Sequence, residues 1–218
     1  MDTAYVLLHS PTVGPSTWAP VAGRLPGAVV PSLLRVGDAG PPFWPAVVEA
    51  VTAEIDRLPA GTRVVLVAHS NAGRFVPVLA EHAAACVFVD AALPGQAGPA
   101  PEFLRAMTGL DGRLPRWTDW WDEADVAPLF PDETTRRTVE AEQPRLPPAY
   151  FEQPVPVPPG WDTMPCAYLL FSGRAYAAEA AGARARGWRV DHLPGLHLHQ
   201  LVDPAGVAAR IEEMSHSG

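Results

Sequence analysis

The chain has 218 residues, of which 48% are hydrophobic, and it carries a formal net charge of −8. This length and composition fit one globular domain with a full core and room for an insertion. No basic run of five or more residues is present, which argues against nucleic acid as a partner. All 16 basic side chains are arginine, so Schiff-base and pyridoxal chemistry, which need a lysine amine, are excluded.

The cysteines and the hydropathy pattern restrict the compartment. Cys86 and Cys166 each begin an apolar run, and two buried thiols in a reducing compartment explain them as well as a disulfide does. No Cys/His cluster has the spacing of a zinc site. No apolar stretch is long enough to span a bilayer, and no signal peptide is recognisable. We therefore expect a cytoplasmic monomer or homodimer that needs neither a metal nor a membrane.

Short apolar runs alternate with helical patterns over the first 94 residues. The patterns predict strands at 4–9, 27–34, 63–69 and 86–91, and helices at 17–25, 43–58 and 72–84. In the 43–58 segment, Val47, Val51 and Ile55 recur every four residues, which is typical of an amphipathic helix. Pro31 limits the length of the second strand. This alternation predicts a parallel sheet with helices on both faces.

The pattern is interrupted after Pro94. Residues 95–160 are rich in Pro and Trp and contain only short helical pieces. Strands are predicted again at 166–172 and 188–193, and helices at 176–187 and 203–214. The interruption predicts a lid, residues 95–160, inserted into an α/β core. That core would comprise residues 1–94 and 161–218, with about six mostly parallel strands.

Ser70 stands where the strand in VVLVAHSNAG runs directly into a helix. Such a junction forces a tight turn, and the residues two before and two after its apex must be small; here they are Ala68 and Ala72. Backbone N–H groups at the start of the helix would stabilise negative charge near the serine. The pattern favours a nucleophile, and the alternative is a serine that only caps the helix.

A serine nucleophile needs a base. His197 lies in LPGLHLHQLVDPAGVAARI, between the last predicted strand and the last helix. This loop projects from the same end of the sheet as Ser70, where ligands bind in parallel sheets. His199 is the local competitor, and a solvated loop histidine is the ordinary alternative.

Together these segments resemble an α/β-hydrolase-fold enzyme of the compact, lidded type. The resemblance rests on LLHSPTVGPSTWAPVAGRL, on VVLVAHSNAG and on the histidine loop, and it covers nearly all of the chain outside the lid. It implies Ser70 as the nucleophile, His197 as the base and the Asn71 N–H as one oxyanion donor. The family's G-x-S-x-G is replaced here by AHSNA, residues 68–72.

The catalytic acid is the first departure from the family. Its usual place, residues 174–177, contains no carboxylate. Asp90 stands at the other place that such enzymes use, the end of the strand before the lid. A buried carboxylate there would need a partner, and an imidazole N–H would serve. We expect Asp90 to be the acid; Glu179 and a bare Ser–His dyad are the alternatives.

The loop after the first strand is the second departure. In the family this loop gives the second oxyanion donor, but Pro11 has no N–H. Losing one such donor costs about 3–4 kcal/mol of transition-state stabilisation. We expect the Ser10 hydroxyl or the Thr12 N–H to compensate. Plant hydroxynitrile-lyase-like members also carry a hydroxyl residue after this histidine, which keeps non-hydrolytic chemistry open.

The lid sequence RWTDWW suggests how the substrate is bound. Trp117 and Trp121 are candidates to face an apolar substrate, although they could equally anchor the lid. We expect a serine hydrolase that cleaves an ester, lactone or thioester of a fairly apolar small molecule without a cofactor. A lyase or cyclase using the same cavity, or a catalytically weak binding protein, is the alternative.

Overall fold

The computed structural model describes residues 2–95 and 102–216. Its sheet has five strands, β1 (Thr3–Leu8), β2 (Arg63–Ser70), β3 (Ala85–Ala91), β4 (Cys166–Leu170) and β5 (Arg189–His192). They lie side by side in chain order, and every neighbouring pair is parallel. Each parallel connection must cross a face of the sheet. The predicted parallel α/β sheet is therefore confirmed.

The part of the chain that the structure describes contains ten α-helices, several of them a single turn long. They are α1 (Ala19–Ala22), α2 (Trp44–Ile55), α3 (Val76–Leu79), α4 (Glu102–Ala106), α5 (Glu123–Val126), α6 (Glu133–Glu142), α7 (Ala149–Glu152), α8 (Ala177–Ala185), α9 (His199–Val202) and α10 (Pro204–Ser215). Within the described residues, no helix combines the length and the apolar character needed to cross a membrane.

The strand predicted at 27–34 is wrong in extent, because only one bridge forms there. Val29 pairs with Val6 on the edge of β1 away from β2. The Leu7 N–H donates to Val29 O, and the Val29 N–H donates to Tyr5 O, both at 2.9 Å. Pro31 has no N–H with which to extend this ladder. Among the residues that the structure describes, the sheet consequently has five strands rather than about six.

The helix predicted at 72–84 is also divided. The segment forms a 3₁₀ helix at 71–75, then α3, then a 3₁₀ turn at 80–82. Pro77 lies in the first turn of α3, where its missing N–H needs no partner. In the interior of one long helix the same proline would remove a hydrogen bond and collide with the preceding turn.

Strands β1 to β4 are buried on both faces, and their alternating side chains supply two cores. In β2, Val64, Leu66 and Ala68 belong to the core that includes α2, α3 and α8. Val65 and Val67 belong to the core that includes α1 and α10. The carboxyl ends of β2 and β3 are thus held by packing from both sides of the sheet.

The described part of the predicted lid, residues 102–160, contains α4 to α7 and no strand. Residues 96–101 of the predicted lid lie outside the described residues. Four apolar side chains of this region, from α5, α6 and the turn between them, pack against two leucines near His197; the six are Val126, Leu129, Phe130, Val139, Leu198 and Leu201. This packing joins the region to the histidine loop. The 95–160 boundary stays a prediction.

The two cysteines are neighbours in the sheet. Cys86 of β3 is paired in register with Cys166 of β4, yet both are free thiols. Of the two explanations that the sequence allows, the structure therefore shows the unbridged one. Desolvation raises the pKa of both thiols, that of Cys166 to about 12, so neither sulfur is an activated thiolate near neutral pH.

Candidate active site

The crevice between β1 and β2 is a topological switch point. The chain leaves β1 for the Val29 bridge on one side and returns to β2 on the other side. Such a reversal opens a crevice at the carboxyl ends of the two strands. The loop that begins at His9 and the end of β2 at Ser70 border this crevice.

Ser70 has the backbone strain expected at a strand-to-helix turn. Its φ is 57° and its ψ −131°, a left-handed φ that non-glycine residues rarely adopt. Ala68 and Ala72 are fully buried. A Cβ on Gly73 would lie 2.1 Å from the Ala92 carbonyl oxygen. The small residues around the serine are therefore needed, because the helix passes very close to the end of β3.

Ser70, His197 and Asp90 form one continuous chain of hydrogen bonds. Ser70 Oγ lies 2.9 Å from His197 Nε2, and His197 Nδ1 lies 2.7 Å from Asp90 Oδ2. Asp90 Oδ1 accepts the backbone N–H groups of Phe171 and Ser172, each at 3.0 Å. The structure thus brings together the three residues predicted to be catalytic from the end of β2, the end of β3 and the loop before α9.

The environment of Asp90 determines where the protons reside. Burial alone would raise the pKa of Asp90, but hydrogen bonds from His197 and from the N–H groups of Ser172 and Phe171 lower it overall. The carboxylate therefore accepts only, and His197 Nδ1 must donate to it. The Nε2 atom of the neutral imidazole is then left to accept the Ser70 hydroxyl proton, as a general base must.

A β-bulge turns Asp90 out of the strand ladder. His69 pairs with Val89 and Ser70 pairs with Ala91, so Asp90 has no partner in β2. Its φ is 43°. Tyr168 of β4 holds the residue after the bulge, because its hydroxyl donates to Ala91 O at 2.7 Å and accepts the Ala91 N–H at 3.0 Å. Sequence reasoning missed this tyrosine, since nothing local marks its contact with β3.

Two aromatic rings stack on His197. The His69 ring lies 4.6 Å from it and the Tyr176 ring 5.2 Å from it, between centroids. His69 Nε2–H donates to the His197 carbonyl oxygen at 2.8 Å, and burial lowers the pKa of His69 to about 3. The Tyr176 hydroxyl lies 3.3 Å from Ser70 Oγ. Sequence reasoning examined residues 174–177 for a carboxylate and overlooked the aromatic residue there.

The loop after β1 is a tight, internally bonded turn. The Val13 N–H donates to Ser10 O at 3.0 Å, and Ser10 Oγ lies 2.9 Å from Thr12 Oγ1. His9 anchors the turn: Nδ1–H donates to Ser10 O at 2.8 Å, and Nε2 accepts the Leu33 N–H at 3.0 Å. Burial lowers the pKa of His9 to about 4. Of the two donors predicted to compensate for Pro11, the Ser10 hydroxyl is thus bonded to the Thr12 hydroxyl, and the Thr12 N–H points to Ser10 Oγ at 3.4 Å.

A narrow cavity, too tight to admit a water molecule, lies over Ser70. Ser10, Thr12, Val13, His69, Ser70, Trp117, His197 and Leu198 line it. Of the two tryptophans predicted to bind substrate, Trp117 is there, with its ring 5.9 Å from that of His197. Trp121 does not line the cavity; it is 46% exposed and packs against Phe103.

The structure also places Asn71 and the two residues that the sequence left as alternatives, Glu179 as the acid and His199 as the base. Asn71 begins the 3₁₀ helix after Ser70, where a backbone N–H has no acceptor within the helix. Glu179 lies in the first turn of α8, outside the hydrogen-bond chain of His197. His199 packs its ring against Phe171, 5.4 Å away between centroids.

Among residues 2–95 and 102–216, no group of His, Cys, Asp and Glu side chains could hold a metal ion.

Comparisons with known proteins agree with this fold. The sequence model of the alpha/beta hydrolase family matches residues 5–210, whereas comparison with curated proteins gives no match. Similar solved structures include a mutant of tomato methylketone synthase I, at 15% identity over 98% of each chain and a TM-score of 0.69. A mutant of polyneuridine aldehyde esterase gives 14% identity over 99% of this chain and 100% of that one, with a TM-score of 0.70. An Arabidopsis methylesterase gives 15% identity over 97% of this chain and 98% of that one, with a TM-score of 0.64.

At these identities the structural likeness shows the fold alone. The family model, however, spans nearly the whole chain, from the first strand into the last helix. This protein belongs to the alpha/beta hydrolase family.

Proposed function

We propose that this hydrolase-family protein is a serine hydrolase acting on an ester, lactone or thioester of a fairly apolar small molecule. The observation that carries the proposal is the continuous Asp90–His197–Ser70 hydrogen-bond chain. In the reaction, Ser70 Oγ attacks the carbonyl carbon while His197 Nε2 takes its proton and then gives it to the leaving group. Water repeats these steps on the acyl-enzyme, releases the acid and regenerates the serine.

Asp90 acts in this mechanism without touching the substrate. Its carboxylate fixes the Nδ1–H tautomer of His197 and stabilises the imidazolium that forms during attack. The neighbouring His69 is held neutral, with a pKa lowered by burial to about 3. It therefore adds no positive charge beside the imidazolium, which would oppose proton transfer.

One oxyanion donor is the backbone N–H of Asn71. It lies directly after the nucleophile at the start of a helix, where N–H groups point toward developing negative charge. The Asn71 side chain is fixed, because its Oδ1 accepts the Tyr150 hydroxyl at 2.6 Å.

The residues that line the cavity favour a substrate with an apolar acyl group. Val13, Trp117 and Leu198 give the cavity apolar walls beside Ser70. The cavity is too narrow in this structure to enclose an acyl group, whereas sites that enclose a drug-sized ligand usually measure roughly 300–1,000 Å³. Binding of an acyl group would therefore require a lining side chain such as Trp117 to move.

A lyase or cyclase acting without an acyl-enzyme is the second candidate. The observation that favours it is the Ser10–Thr12 hydroxyl pair, which lines the cavity beside a proline that lacks an N–H. In such a reaction His197 would be the base, and the hydroxyls would hold a substrate carbonyl. The third alternative, a catalytically weak binding protein, rests on the weak oxyanion loop and on the lack of a carboxylate at residues 174–177. The Asp90–His197 contact supplies a carboxylate from another strand, so only the loop still favours it.

Fluorophosphonate labelling followed by intact-mass spectrometry tests the hydrolase proposal. A single adduct is expected on the native protein, and peptide mapping should place it on Ser70. Ser70→Ala and His197→Ala should abolish it, whereas Ser16→Ala, at a serine outside the site, should not. A folded native protein that forms no adduct and hydrolyses no p-nitrophenyl ester would contradict the proposal and favour the lyase or cyclase.

A further inference from the structure

The backbone N–H groups of residues 12 and 13, in the loop after β1, already make hydrogen bonds within that loop. Pro11 has no N–H, the Val13 N–H donates to Ser10 O at 3.0 Å, and the Thr12 N–H points to Ser10 Oγ at 3.4 Å. The side-chain hydroxyls of Ser10 and Thr12 bond to each other. That bond uses one of the two hydroxyl protons, and the backbone of residues 11–13 offers no free N–H as the second donor that acyl transfer uses.

A different hydroxyl already lies at the nucleophile. Tyr176, which precedes α8, has its hydroxyl 3.3 Å from Ser70 Oγ. Its ring stacks on His197 with an interplanar angle of 20°. Stacking and partial burial hold the phenol in place before a substrate arrives, as a preorganised donor requires.

The hydrogen-bond chain fixes the direction of this contact. Asp90 accepts from His197 Nδ1, so Nε2 accepts the one proton of the Ser70 hydroxyl. In the contact between Tyr176 and Ser70, the donor must therefore be Tyr176. Burial raises the pKa of Tyr176 to about 12, so the phenol keeps its proton at neutral pH.

We propose that the Tyr176 hydroxyl is the second oxyanion donor of this enzyme, in place of a backbone N–H from the loop after β1. The inference rests on the proposed serine hydrolase function. Ser70 Oγ forms its bond to the carbonyl carbon, the carbonyl π electrons move onto the carbonyl oxygen, and the serine proton passes to His197. Tyr176 keeps its own proton throughout.

The geometry explains why this donor would favour the transition state. In the tetrahedral intermediate, Ser70 Oγ and the oxyanion are bonded to the same carbon, so a donor beside one is close to the other. As Oγ becomes an ester oxygen it accepts poorly, while the oxyanion becomes a charged acceptor. The Tyr176 hydrogen bond then moves to the oxyanion and stabilises the transition state more than the ground state.

Tyr176→Phe tests the proposal, because it removes the hydroxyl and keeps the ring. The rate of fluorophosphonate labelling and kcat for p-nitrophenyl butyrate should both fall about 10²–10³-fold, with KM little changed. Tyr5→Phe is the matched control: Tyr5 is also buried, and its hydroxyl contacts Ser215 of α10 rather than the site. This variant should keep native rates. Circular dichroism and thermal melting should show both variants folded.

A second readout separates oxyanion binding from a purely structural role. A short alkyl trifluoromethyl ketone, whose adduct on serine carries an oxyanion, should bind Tyr176→Phe weaker by about the factor lost in kcat/KM. If the phenol only supports the His197 ring, Tyr176→Phe will match the native protein and Tyr176→Ala alone will be impaired. That result would overturn the inference while leaving the hydrolase proposal intact. Absence of labelling in the native protein would instead overturn the hydrolase proposal.

Discussion

The Tyr150 hydroxyl donates to Asn71 Oδ1 across 2.6 Å, which connects the return segment of the lid region to the residue after Ser70. The connection is reinforced nearby, because Arg74 Nη2 donates to Gln153 O at 2.8 Å. Arg74 and Tyr150 are both buried. The start of the nucleophile helix is therefore positioned by a segment about 80 residues later in the chain.

Tyr150→Phe should destabilise the protein and slow the reaction. The change leaves the partly buried Asn71 Oδ1 without its partner, which should cost less than the full penalty of about 1–3 kcal/mol for a buried acceptor. We expect a double-mutant cycle with Asn71→Ala, measured by urea unfolding, to give a coupling of about 0.5–3 kcal/mol. Additive single effects would mean that the contact contributes nothing to stability.

Asp90→Asn should lower kcat by up to about 10⁴-fold without unfolding the protein, because an amide no longer fixes the Nδ1–H tautomer of His197. Ester hydrolysis kinetics measure the loss. Glu179→Gln is the matched control and should remain near native, since Glu179 lies outside the hydrogen-bond chain. Native rates in both variants would instead support a Ser–His dyad.

His197→Ala should reduce kcat by a factor on the order of 10⁶, as in other serine hydrolases in which serine and base act as a unit. His199→Ala, at the neighbouring ring that packs against Phe171, should keep most of the activity. The reverse pattern of rates would exchange the two assignments.

Stability should fall as the pH is lowered from 7 toward 4. Burial lowers the pKa of His9 to about 4 and that of His69 to about 3, while the unfolded chain titrates near the ordinary value of about 6.5. Below about pH 6.5 the unfolded state therefore binds more protons than the folded state, and the free energy of unfolding decreases with falling pH.

Each of these histidines contributes a slope of at most about 1.4 kcal/mol per pH unit between the two pKa values. Urea unfolding at pH 7, 5.5 and 4.5 measures the total. The double variant His9→Asn/His69→Gln, which keeps polar side chains at both positions, should have a shallower slope. An equal slope in the native protein and the variant would show that other groups cause the acid sensitivity.

Several features follow from the sequence alone because their causes are local. The junction at Ser70 is encoded by an apolar run that meets a helix with only small residues around it, and these sizes are what the close approach to β3 demands. The parallel sheet follows from the alternation of strand and helix patterns. The effect of Pro31 on its strand was also local, but periodicity did not reveal that only one bridge remains there or that Pro77 helps to divide the helix after Ser70, although the missing N–H groups explain both.

The convergence of distant side chains was decided by the tertiary structure. Asp90 could be proposed from its place at a strand end, but the bulge that turns it toward His197 depends on β2, β3 and Tyr168 together. Tyr176 reaches Ser70 only because β4 lies beside β3, so that the segment after β4 returns over the carboxyl end of β2. The sequence determines which residues can end a strand or begin a helix. Which of those ends meet depends on sheet order and packing, since contacts between residues far apart in the chain leave no local periodic signal.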